Sequence, residues 1–126
     1  MDDPLRQRLE LFRAMPDTPP GVVDFVEREL HRLESDYLVT EATAGSLTSH
    51  LVAALGRMIR EEPDIDPPGD TVYREVVDAF PTAVDASADL SARAHQELGT
   101  GLSAIEQQYL SLHLGTLALT ARKEKS

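Results

Sequence analysis

Residues 41–61, EATAGSLTSHLVAALGRMIRE, carry Leu47, Leu51, Ala54, Leu55 and Met58 at steps of three and four. In a helix of 3.6 residues per turn such steps bring side chains onto one face, which predicts an amphipathic helix from near Glu41 to Glu61. Gly45 and Gly56 lie within it and suit close packing. The same spacing recurs on both sides of this stretch, and nowhere does the chain sustain the period-two alternation expected of strands. The fold class is therefore all-α.

Towards the N-terminus, Val23, Val26, Leu30, Leu33 and Tyr37 mark the buried face of a helix expected from about Pro20 to Tyr37, with Pro20 in its first turn and Phe25 flanking the stripe. A shorter helix before it places Leu5, Leu9 and Phe12 on one stripe, and the prolines between Pro16 and Pro20 end it. Towards the C-terminus, EEPDIDPPGD (61–70) holds five acidic residues among prolines and a glycine, and reads as an exposed connection. It lacks the regular oxygen spacing of a calcium loop.

A fourth helix begins near Asp70, with Val72, Tyr73, Val76 and Val77 as its apolar face. The pair Phe80-Pro81 breaks it, because the residue before a proline disfavours the helical conformation. A fifth helix follows with Val84, Ala88, Leu90, Ala94 and Leu98, ended by Gly99 and Gly101. In the last helix Ser103 and Glu106 fit a capping box, and Ile105, Tyr109 and Leu112 form a stripe running on towards Leu119. The basic tail ARKEKS suits a fraying terminus.

The length, 126 residues, fits one domain able to bury a core without staples. No cysteine is present, which excludes disulfides and thiolate metal sites and points to a reducing cytoplasm. The N-terminal MDDPLRQRLELF is too charged for a secretory signal, and no apolar run approaches a membrane span. Twenty-two acidic against twelve basic side chains give a net charge of −10, which repels nucleic acid and suits a protein partner.

Chemistry is concentrated in two histidines, His50 in SHLVAALGR and His113 in EQQYLSLHLG. Each lies at the edge of an apolar stripe. His50 has Arg57 two turns further along its helix, and His113 follows Tyr109 by four residues and Glu106 by seven. A neutral imidazole can accept a phosphoryl group, can act as a proton switch, or can simply bond locally at the edge of a core, the commonest role for such a position. Two histidines on separate helices do not define a metal site, and no GxSxG elbow or phosphate loop accompanies them. His31 and His95 sit in charged surroundings, RELHRLE and ARAHQEL, and read as solvated or locally bonded.

Together these phrases resemble the PTS regulation domain (PRD), an all-helical module of bacterial transcriptional regulators controlled by the sugar phosphotransferase system. The resemblance spans roughly residues 20–119. It rests on His50-Leu51 through Arg57, on the helix break in VVDAFPTAVDASADL, and on Glu106, Tyr109, Leu110, Leu112 and His113 in order. It implies a compact bundle of five to six helices that often dimerises, preceded here by an N-terminal helix and proline-rich connection over 1–19. It also implies a non-enzymatic role without cofactor or metal. His50 and His113 match the family's phosphoryl acceptors, supplied by a phosphocarrier protein or a sugar permease component, and Arg57 matches a position close to the first of them. The chain carries a single copy without a nucleic-acid-binding domain, so the resemblance implies a stand-alone cytoplasmic module that acts on transcription through a regulator protein. A helical protein-interaction module that accepts no phosphate is the other reading.

Overall fold

A computed structural model of the chain describes residues 1–123. Six helices form a bundle: α1 (Asp3–Ala14), α2 (Val22–Leu33), α3 (Glu41–Ile59), α4 (Asp70–Ala79), α5 (Pro81–Leu98) and α6 (Ala104–Thr120). Among the described residues no helix is long and apolar enough to cross a membrane.

The helix starts are set locally. Asp2 caps α1 by accepting from the Leu5 amide and also accepts from the Glu41 amide, so one carboxylate ties the beginnings of α1 and α3 together. Thr40 and Thr43 form a reciprocal capping box on α3. Gly21 takes φ 87° as the residue before α2, a left-handed conformation open to glycine, so Pro20 lies outside the helix rather than in its first turn. At the other end α2 stops at Leu33. Tyr37 instead pairs with Arg122 in an isolated antiparallel bridge, with the Leu38 amide donating to the Ala121 carbonyl at 2.8 Å. Residues 121–123 are thus tied down rather than frayed; residues 124–126 of the expected tail lie outside the described residues.

The core is built chiefly by α1, α2, α3 and α6. Leu5, Leu9, Val22, Phe25, Val26, Leu30, Leu51, Leu55, Leu110 and Leu117 are fully or almost fully buried. Each such aliphatic or aromatic side chain contributes about 1.5–3 kcal/mol relative to exposure. The face of α5 towards α6 is mostly small: Ala83, Ser87, Ser91 and Ala94 are buried with Leu90, and Ser111 donates to Ser87 at 3.0 Å. Backbones can approach closely there, and Gly101 rests against Ser91 so tightly that a Cβ would lie 2.9 Å from its carbonyl oxygen.

Three expected stripes are corrected. On α6 the buried leucines are Leu110, Leu114 and Leu117; Tyr109 and Leu112 are only half-buried, and Leu119 is exposed. This helix carries leucines on several sides, so two stripes satisfied the same spacing and only the packing of α5 and α3 chooses between them. On α5, Ala88 is exposed. On α4 no residue is fully buried: Val76 and Phe80 rest on Gly115 of α6, while Val72 and Val77 remain exposed.

Candidate functional site

α3 and α6 run antiparallel, which sets His50 opposite His113 and Arg57 opposite Glu106. The two imidazole rings lie 4.9 Å apart between centroids and are inclined by 30°. Tyr109 completes the wall, its ring 6.1 Å from that of His50. Its hydroxyl donates to the Asp66 carbonyl, so the acidic connection is fastened beside the histidines.

Glu106 is the residue whose role the sequence misread. Ser103 accepts from the Glu106 amide, as expected of a cap, but the Glu106 side chain does not return to the Ser103 amide. It turns inward to only 1% exposure and accepts from Arg57 Nη2 at 2.8 Å and Nε at 3.3 Å. A carboxylate in the first turn of α6 and a guanidinium in the last turn of α3 also suit the two helix dipoles. The signal was present in the spacing: His50 precedes Arg57 by seven residues and Glu106 precedes His113 by seven. In an antiparallel pair those orders place the arginine against the glutamate.

The second carboxylate oxygen, Glu106 Oε2, points towards His50 Nε2 at 3.7 Å, too far for a hydrogen bond. Both atoms are buried and unpartnered, and His50 Nε2 is the only ring nitrogen of the two histidines in that condition among the described residues. Burial pushes the His50 pKa down to about 4, with the His113 ring and the Arg57 charge acting the same way. Burial also lowers His113. Both rings are therefore held as neutral imidazoles near pH 7, with a lone pair on one nitrogen of each.

The remaining histidines stand apart. His31 is exposed and bonds Glu34 at 2.6 Å through Nδ1, and His95 is exposed on α5. Among the described residues no three histidine or carboxylate side chains converge as a metal site. No protein-family model, curated protein or solved structure matches the chain.

Proposed function

We propose that this chain is a PRD-like regulatory module that accepts phosphoryl groups at the His50–His113 pair and acts through a protein partner in transcriptional regulation. The observation that carries the reading is the meeting of the two rings 4.9 Å apart across the α3–α6 interface, with Arg57 nearby. Imidazoles kept neutral by burial are nucleophiles, and the added phosphoryl charge in a half-buried seam biases how two helices pack. Such a module works without catalysis or a cofactor. Its donors, a phosphocarrier protein or a sugar permease component, belong to the cytoplasm, and its homodimerisation is part of the same proposal.

Incubation with phosphoenolpyruvate, the general phosphotransferase enzyme and the phosphocarrier protein should produce acid-labile phosphohistidine, absent from the double variant His50→Ala/His113→Ala. Failure to label with the phosphocarrier and with every permease component of the source organism would refute the reading.

A second reading is a helical interaction module that accepts no phosphate. The engagement of Arg57 by Glu106 favours it, since that guanidinium is not held free for an anion. On this reading, substitution of both histidines leaves binding to a partner unchanged.

A further inference from the structure

The two histidines are not equivalent. His50 has 12% of its side chain exposed, and its Nε2 is buried against a carboxylate. A phosphoryl group on that atom would have to enter a closed space and meet the negative charge of Glu106. His113 is half-buried, and neither of its nitrogens is both buried and unpartnered. Two phosphoryl dianions on rings 4.9 Å apart, above a buried carboxylate, would also repel one another strongly. The site therefore suits one phosphoryl group.

We propose that His113 is the phosphoryl acceptor of the pair, and that His50 is its positioning residue, taking up a proton between phospho-His113 and Glu106. The inference rests on the phosphoacceptor reading above and assigns the roles within it. In the transfer, the P–N bond of a phosphoimidazole donor breaks and leaves the electron pair on the donor nitrogen, while a lone pair of neutral His113 forms the new P–N bond; the proton on the other His113 nitrogen passes to the departing donor imidazole, and the proton that His50 takes up comes from water. The product places a dianion beside His50. An imidazolium at His50 then faces opposite charge on both sides, the phosphoryl group and Glu106. Closing the 3.7 Å gap by less than an ångström lets Nε2–H donate to Oε2, which satisfies the two buried atoms that lack partners.

The charges around His50 are few enough to name. From α6 it is faced by Glu106, Tyr109 and His113, and along its own helix by Arg57. From α1, Arg8 reaches the neighbouring Ser49 at 2.8 Å, but that guanidinium is paired with Glu41. The buried carboxylate of α2, Glu29, is taken by Arg93. Phosphorylation of His113 is thus the large change in charge available to His50.

The test uses the intact protein and two donors, the phosphocarrier system and potassium phosphoramidate. With phosphoramidate, ammonia is the leaving group and no docking of a protein donor is required. Because phosphoramidate also modifies the exposed His31 and His95, the label is located on the pair itself: the expected product carries its phosphoryl group on His113 and not on His50, is lost from that position in His113→Ala and still forms in His50→Gln. Ring ¹⁵N titration should show His50 at least half-protonated at pH 7 in the phosphorylated protein, a rise of about a thousandfold in proton affinity from a pKa of about 4, and Glu106→Gln should diminish that rise. Label on His50 with His113 unmodified, label on both His50 and His113 of one chain, or a His50 that stays unprotonated at pH 7 would each overturn the assignment. Labelling by phosphoramidate but by no protein donor would refute the regulatory reading and leave the assignment standing.

Discussion

Arg57 and Glu106 are joined across the α3–α6 interface at 2.8 Å, with the carboxylate almost fully buried and the guanidinium a quarter exposed. The two residues are unequally dependent on each other. Without Arg57 the glutamate is a buried charge with no donor, whereas without Glu106 the arginine can turn to water.

Arg57→Leu should therefore destabilise by about 2–4 kcal/mol in urea unfolding at pH 7, towards the lower part of the range for a broken buried pair because Arg57 is partly solvated. Glu106→Gln, which retains an acceptor for Arg57, should cost markedly less. Equal losses for the two variants would contradict the asymmetry.

The same asymmetry is expected between α2 and α5. Glu29 is 4% exposed in its side chain and accepts from Arg93 at 2.6 and 2.9 Å, with Arg32 a more distant second partner. Arg93→Ala should lower stability more than Glu29→Ala, by about 1–2 kcal/mol. Thermal or urea unfolding of the two single variants decides it.

Acid should weaken the fold through the histidines. His50 has a folded pKa of about 4 against an ordinary 6.5, and His113 is displaced in the same direction. Between those values the unfolded chain binds more protons than the folded one, so stability is complete above about pH 6.5 and falls until about pH 4. His50 alone accounts for roughly 3 kcal/mol of that fall. In His50→Asn the slope of unfolding free energy against pH over this window should flatten; an unchanged slope would remove His50 as its source.

Gly101→Ala should be costly for a substitution so small. A Cβ there lies 2.8 Å from Ser91 Oγ and 2.9 Å from the Ser91 carbonyl oxygen, and Ser91 Oγ is the acceptor for the Leu102 amide at 2.8 Å. A loss of about 1–3 kcal/mol in chemical denaturation is expected, from overpacking together with a disturbed buried hydrogen bond.

Much of the architecture was readable because proline, glycine and apolar spacing act locally. All six helices follow from these signals, and the face of α3 is buried at Leu47, Leu51, Ala54 and Leu55 as its spacing predicts. What escaped depended on distant partners. The Ser103–Glu106 spacing is correct for a cap, yet the carboxylate has a stronger partner 49 residues away in Arg57. The α6 stripe was misplaced because Leu110, Leu114 and Leu117 obey the same periodicity as Ile105, Tyr109 and Leu112. The approach of His50 to His113 is likewise a property of the antiparallel pair and of neither helix alone.

The shallow seating of α4 on Gly115 has a dynamic consequence. A helix with no fully buried side chain loses little on detaching, so its amides should exchange with solvent by subglobal opening well before those of α3. Gly115 lies two residues beyond His113 and so about 200° round α6 from it, which means that such opening bares the side of α6 turned away from the histidine pair. A partner gripping α4 can raise or lower that local equilibrium constant, and with it the exposure of this side of α6, without touching either imidazole.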